Sequence, residues 1–178
     1  MSDLSSPPPG VTTSPAPWRW PTPPFAGYPA AQAVTGQDIE IEGLTSAAIP
    51  ATLLDFDVEG GTLRIRVRAS GKEMRLRFEQ LRRVMLVAPL RAQAPSTADP
   101  HARLLAPPPA AEYHIRLTGG GMLSGRSLGH VPVAKGVFLF SPIDESGAVQ
   151  RSFVPKSSIA LFEIGPRIGD LLVEQHAA

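Results

Sequence analysis

The stretch Leu63-Arg-Ile-Arg-Val-Arg68, separated by Ser70-Gly71-Lys72 from Met74-Arg-Leu-Arg-Phe78, decides the fold class. Apolar residues and arginines alternate one by one in both segments, and a period of two is typical of strands that bury one face. A short polar connection containing glycine between two such segments predicts an antiparallel hairpin. The sequence therefore predicts an all-β fold.

A second part of the chain repeats this organisation. Further strands are predicted around Tyr113 to Leu117, which precede Gly119-Gly-Gly121, and over 122–128, 137–140 and 149–153. Three pairs of apolar residues share an offset of 75 positions: Phe78 with Phe153, Val84 with Ile159, and Leu86 with Leu161. The sequence therefore predicts an internal repeat, with copies over 38–88 and 112–165.

Each copy has room for about five short strands, and a sheet this short tends to curl and hide its edges. We therefore expect two tandem five-stranded barrels of the SH3-like, Sm-like or PilZ-like type. A single 3₁₀ turn is expected before the last strand, after Phe78 in the first copy and after Phe153 in the second. A core of about 50 residues is marginal alone, so the two barrels should pack on each other.

Prolines mark the boundaries of these copies. Nine of the 20 prolines lie in residues 1–30 and six in residues 89–109. Neither region has a hydrophobic period, so the sequence predicts a disordered Pro-rich leader over 1–37 and an exposed linker over 89–111. After Pro166, a spacing of three to four residues between apolar positions predicts the start of a helix over 166–178.

Composition excludes several classes of protein. The chain has no Cys, which excludes a disulfide scaffold, a thiolate-bound zinc site and an iron–sulfur cluster. Its net charge of +1 argues against a strongly basic nucleic-acid binder. No apolar run reaches the length of a membrane span, and the N-terminus lacks the pattern of a secretory signal. These observations predict a cytoplasmic location.

The sequence shows no convincing catalytic or metal-binding motif. The segment from Gly120 to Ser127 is one residue from a phosphate-binding loop, but Arg126 replaces the lysine and no helix is predicted after it. We interpret it as a glycine-rich hairpin turn. The four histidines lack the spacing of metal ligands. The sequence therefore predicts a protein that is not an enzyme and has no cofactor.

Two groups of residues are candidates for binding. If 62–68 pairs with 73–78, five arginines project from one face of the hairpin and can bind phosphates or an acidic partner. Alternatively, they form a solvated outer face that neighbouring glutamates neutralise. In the leader, two tryptophans either dock on a partner or fold back on the chain's own sheets. These candidates are Arg64, Arg66, Arg68, Arg75, Arg77, Trp18 and Trp20.

The C-terminal residues Arg167-Ile-Gly-Asp-Leu-Leu-Val-Glu-Gln175 resemble the opening of the N-terminal domain of secretion ATPases. These ATPases drive type II secretion and type IV pilus assembly from the cytoplasm. The segment 110–165 and the Pro-rich leader are similar to accessory regions that precede the motor in some members. In part of the family the matched motif binds cyclic di-GMP, which makes Arg167 and Gly169 nucleotide-binding candidates. His176 stands where the family has glycine.

The resemblance implies a non-catalytic regulatory or assembly module that acts by protein–protein contact with the secretion or pilus machinery. No phosphate-loop lysine of a motor is present in the sequence. Two alternatives remain. One is a PilZ-like module that responds to cyclic di-GMP, although Asp144-Glu-Ser146-Gly147 departs from the PilZ motif. The other is a stand-alone Sm-like RNA-binding protein, although no aromatic residue interleaves with the arginines.

Overall fold

The computed structural model describes residues 18–25, 27–45, 47–93 and 109–165. Within them, strands dominate and the helical residues form two 3₁₀ turns, Phe78–Gln80 and Lys156–Ser158. The strands are β1 (Arg19–Trp20), β2 (Gln32–Ala33), β3 (Asp38–Gly43), β4 (Ile49–Asp57), β5 (Thr62–Val67), β6 (Glu73–Arg77), β7 (Leu81–Leu86), β8 (Ala111–Leu117), β9 (Met122–Ser127), β10 (His130–Val133), β11 (Gly136–Pro142), β12 (Val149–Pro155) and β13 (Ile159–Ile164).

The strands pair antiparallel in three sheets. Eight strands follow the order β10-β11-β12-β7-β3-β4-β5-β6, three follow β13-β8-β9, and β1 pairs with β2. The all-β prediction is therefore confirmed. Two separate five-stranded barrels are not observed, since strands of both predicted copies share the largest sheet and no sheet among the described residues closes on itself.

The two predicted copies merge where β12 pairs with β7. Ser152 lies opposite Met85, and Phe153 lies opposite Val84. This pairing gives β7 a second neighbour besides β3, so it hides a strand edge without closing a barrel. The expectation that the two copies pack on each other is confirmed in this form.

The repeat is visible in the pairing scheme. In the first half β3 pairs with β4 and with β7, and in the second half β8 pairs with β9 and with β13. A 3₁₀ turn precedes the last strand of each half, as predicted. The turns begin at Phe78 and at Lys156, so they are 78 residues apart. The predicted offset of 75 is wrong because Phe78 begins its turn whereas Phe153 still lies in β12.

Strand β11 is buried on both faces and joins two hydrophobic cores. Phe138 and Phe140 point into a large core formed mainly by the first half. Val137 and Leu139 point into a smaller core against the three-stranded sheet, where they meet Ile115 and its neighbours. Alternate residues of a strand face opposite sides, so one strand serves both cores.

Five aromatic rings at the centre of the large core come from three parts of the chain. Phe78 and Phe153 have ring centroids 4.9 Å apart, and the Phe56 ring lies within 5.4 Å of both, edge-on to Phe153. Trp20 lies edge-on to Phe56 at 5.2 Å and to Phe138 at 5.1 Å. Such edge-to-face contacts are favourable beyond the area that they bury.

The position of Trp20 corrects the prediction of a disordered leader over 1–37. Its side chain is fully buried, and the strand that carries it pairs with β2 through Arg19 opposite Ala33. Residues 18–25 and 27–37 are therefore folded against the sheet. Burial of a large aromatic side chain offsets the entropic cost of ordering a Pro-rich segment, which the lack of hydrophobic period did not reveal.

The beginning of the predicted linker over 89–111 is also packed. Leu90 is buried in the large core, and its backbone exchanges hydrogen bonds of 2.8 and 2.9 Å with Val149. Residue 111 already belongs to β8. The predicted helix over 166–178 lies outside the described residues. Among those described, no helix is long and apolar enough to cross a membrane.

Candidate functional site

The predicted arginine hairpin forms as expected. Strands β5 and β6 pair with Arg64 opposite Arg75, Arg66 opposite Glu73 and Thr62 opposite Arg77. The intervening apolar residues Leu63 and Ile65 are buried on the other side. We call the outward side of β5 and β6, with Arg64, Arg66, Arg75 and Arg77, the arginine face. All four of these arginines are exposed.

Two of the five predicted arginines are held by carboxylates. Arg66 forms an ion pair with Glu73 at 2.7 Å, and Arg68, just beyond β5, forms one with Asp38 at 3.2 Å. The hydrogen bond from Arg66 lowers the pKa of the Glu73 carboxyl. This part of the hairpin therefore matches the alternative in which acidic neighbours neutralise the arginines.

The other three arginines, Arg64, Arg75 and Arg77, have no carboxylate within 4.0 Å among the described residues. Arg64 and Arg75 occupy directly opposite positions, where like charges destabilise a strand pair. The guanidinium of Arg75 donates one hydrogen bond, at 3.2 Å, to the hydroxyl of Thr62. An anion placed between these arginines would relieve their repulsion and accept their remaining N–H groups.

An open cleft of about 710 Å³ borders the arginine face. Thr62, Arg75 and Arg77 line it together with Glu79 and Gln80 of the first 3₁₀ turn. The side chain of Gln80 accepts the Arg77 backbone N–H at 2.8 Å, which fixes the turn against β6. Thr62 and Gln80 were not among the candidates from sequence. The sequence signal of such a cap is a Ser or Thr three residues before the Gln, and here that residue is Arg77.

The acidic residues beside the arginine face have local roles. Asp55 and Asp57 on β4 lie opposite Arg64 and Thr62. A carboxylate oxygen of Asp55 accepts the backbone N–H of Phe56 at 3.0 Å, and one of Asp57 accepts that of Gly60 at 2.8 Å. These bonds shape the end of β4 and the following turn. Across the described residues, no group of three His, Asp or Glu side chains is arranged to hold a metal ion.

The two tryptophan candidates differ in position. Trp20 is fully buried in the large core, and Trp18 is partly buried against it. Of the two alternatives for the leader, the structure shows the one in which the tryptophans fold back on the chain's own sheets. The nucleotide-binding candidates Arg167 and Gly169 lie outside the described residues.

The glycine-rich segment that resembles a phosphate loop is a hairpin, in agreement with its interpretation from sequence. Gly120 and Gly121 adopt positive φ angles in the turn between β8 and β9. Residues Met122–Ser127 are a strand, and the Ser127 hydroxyl is buried and accepts the Phe140 backbone N–H at 2.9 Å. No helix follows to present its N-terminus to a phosphate, so the segment lacks the geometry of a nucleotide site.

One further arginine is buried. Arg151 on β12 is 2% exposed and lies on the same strand face as Val149 and Phe153, which belong to the large core. Its Nε and Nη1 atoms have no hydrogen-bond partner among the described residues. Burial lowers the pKa of this guanidinium. Because Arg151 is buried and lies on β12, it is not part of the arginine face, which is the exposed side of β5 and β6.

Comparison with known proteins returns no match to a family model, to a curated protein or to a solved structure. The arginine face and its cleft are therefore the features on which an assignment rests.

Proposed function

We propose that this chain is a non-catalytic binding module that takes an acidic protein partner on the arginine face. The observation that carries this proposal is the set of Arg64, Arg75 and Arg77, which are exposed, adjacent and without a carboxylate within 4.0 Å in the described part of the chain. Guanidinium groups bind carboxylates through paired, charge-assisted hydrogen bonds. A partner that presents acidic side chains satisfies all three arginines at once.

The charges around the arginine face favour a protein over a nucleic acid. Asp55 and Asp57 lie in the neighbouring strand and Glu79 lines the cleft, so the positive surface is short and bounded by negative charge. A continuous phosphate backbone would approach these carboxylates, whereas one or two acidic side chains would not. The face also lacks aromatic residues on which bases could stack.

The resemblance of the C-terminal residues to secretion ATPases supplies the setting of this proposal. We place the chain in the cytoplasm as a regulatory or assembly module of a type II secretion or type IV pilus ATPase. The first half, β3 to β7, would be a five-stranded unit of the SH3-like or PilZ-like kind, and the second half, β8 to β13, a version of it with one more strand. In each half the first strand pairs with the second and the last strands. The partner would be another subunit of the same machinery.

Binding to purified cytoplasmic subunits tests the proposal. Each subunit of the secretion and pilus systems of the encoding organism is measured by biolayer interferometry against the unmodified chain and against a triple variant, Arg64→Glu, Arg75→Glu and Arg77→Glu. We expect one subunit to bind the unmodified chain, and the triple variant to bind it at least about tenfold more weakly, or ~1.4 kcal/mol. Binding should also weaken as salt screens exposed charges.

The matched control is Arg116→Glu, which reverses one exposed arginine on β8 in the other half of the chain. It should leave the affinity unchanged, and circular dichroism should show that all variants keep the β fold. The proposal is rejected if no subunit binds, or if the triple variant binds as tightly as the control.

A further inference from the structure

We propose that the outer edge of β6 binds an extended protein segment in which acidic and apolar residues alternate, and adds it to the sheet as a further strand. This inference rests on the proposed function, because the acidic residues of that segment are the ones that meet the arginine face. It specifies the backbone conformation of the partner and its pattern of side chains.

Strand β6 ends the eight-stranded sheet, and its backbone groups alternate in direction. The Val67 N–H donates to the Lys72 carbonyl and the Phe78 N–H donates to the Gly61 carbonyl, both at 2.9 Å. In an antiparallel sheet the backbone N–H and carbonyl groups of alternate residues point to the same neighbouring strand. The backbone groups of the even-numbered residues of β6 therefore bond to β5. The peptide groups of Glu73 and Arg75 therefore point to the outer edge, where no strand of the described chain pairs with them.

Gln80 limits this edge at one end. Its side chain already accepts the Arg77 N–H, which is the next outward group along the strand. The N–H and carbonyl groups of Glu73 and Arg75 remain, together with the Arg77 carbonyl. An added strand therefore pairs mainly with residues 73–75, and its register is set by the position where Gln80 closes the edge.

The two faces of β6 offer different chemistry to the side chains of an added strand. On one face stand Arg75 and Arg77 beside the open cleft, together with Glu73, whose carboxylate is already paired with Arg66. On the other face Met74 and Leu76 line an apolar cavity of about 140 Å³, with Ile49 and Ile65 on its other walls. Met74 is 39% exposed and Ile49 is 40% exposed, so apolar surface is accessible at this cavity.

These two faces require a bound segment in which acidic and apolar residues alternate. Successive residues of a strand point to opposite sides, so one residue meets the arginines and the next meets the apolar cavity. Main-chain hydrogen bonds supply affinity in this mode of binding, and alternate side chains supply specificity.

Four fluorescent peptides, all built from the same set of Glu and Val residues, test the inference by polarisation. The first alternates Glu and Val over seven residues, and the second groups the same residues into an acidic and an apolar block. The third and fourth carry the alternating sequence with N-methyl groups on every second amide, one peptide for each of the two possible phases. We expect the alternating peptide to bind at least about tenfold more tightly than the block peptide. One N-methylated phase should lose binding and the other should keep it.

Chain variants complete the test. Met74→Lys places a charge in the apolar cavity and should weaken the alternating peptide severalfold, whereas Arg116→Glu should have no effect. If alternating and block peptides bind equally, and both lose affinity with Arg75→Glu, strand addition is wrong while an acid-binding arginine face stands. If both N-methylated phases bind like the parent peptide, strand addition is likewise wrong. If no peptide binds at millimolar concentration, strand addition is wrong, and the proposed function then stands or falls with the subunit-binding experiment above.

Discussion

Trp20 offers the sharpest test of how the folded chain is held together. Its side chain is fully buried and its ring contacts Phe56 and Phe138 at 5.2 and 5.1 Å. Replacing a buried Trp by Ala removes its apolar surface from the core and leaves a cavity, which costs about 3–5 kcal/mol. For a folded unit of this size, each kcal/mol lowers the melting temperature by about 4 °C, so Trp20→Ala should lower it by about 12–20 °C.

Thermal and urea unfolding, followed by circular dichroism, measure this effect. The matched comparison is Trp18→Ala, which truncates the neighbouring tryptophan that is only partly buried and should cost clearly less. The chain has two tryptophans, so Trp18→Phe also isolates the fluorescence of Trp20. That emission should be blue-shifted and weakly quenched by iodide. If Trp20→Ala costs under about 1 kcal/mol, or if iodide quenches Trp20 freely, the leader is not part of the core.

Two further predictions follow from individual contacts. A Cβ on Gly136 would lie 2.5 Å from both the Phe153 ring and the Val154 carbonyl oxygen, so Gly136→Ala should lower the free energy of unfolding by about 1–3 kcal/mol in urea. Gly119, whose added Cβ meets nothing within 4 Å, is the control. The hydrogen bond from Arg66 lowers the pKa of Glu73 in the folded protein. The contribution of this pair to stability is therefore present above the pKa that Glu73 has in the unfolded chain, and it is lost as the pH falls through the pKa that Glu73 has in the folded protein. Carboxyl NMR should give a midpoint below the ordinary 4.5 that returns toward it in Arg66→Ala; an unchanged midpoint contradicts the pairing.

The hairpin of β5 and β6 could be predicted from sequence because its signal is local. Strict alternation over 63–68 and 74–78 fixes the period, and the polar turn between them fixes the direction of the chain. The same alternation placed the arginines on one face, as observed. It could not separate Arg66, which has an ionic partner, from Arg75, which has none, because that difference depends on the register between strands.

The way in which the two halves pair with each other could not be predicted from the sequence. The pairing of β12 with β7 joins residues that are far apart in the chain, and neither strand carries a local mark of it. The sequence of β11 is a continuous apolar run, which predicts a strand buried on both faces. It does not predict which strands pack against each face. The order of the leader around Trp20 was not predicted, and the choice between its two alternatives stayed open, because two residues of strand among prolines give no hydrophobic period.

Because β11 contributes side chains to both hydrophobic cores, the two halves of the chain depend on each other for folding. The second half supplies Phe138, Phe140 and Phe153 to the core of the first, so the first half produced alone would leave Phe56 and Phe78 without these neighbours. An exposed aromatic surface of that kind leads to aggregation. Neither half could therefore be moved alone into another protein by recombination and still have a complete core. A protein that descends from this chain should contain both halves or neither.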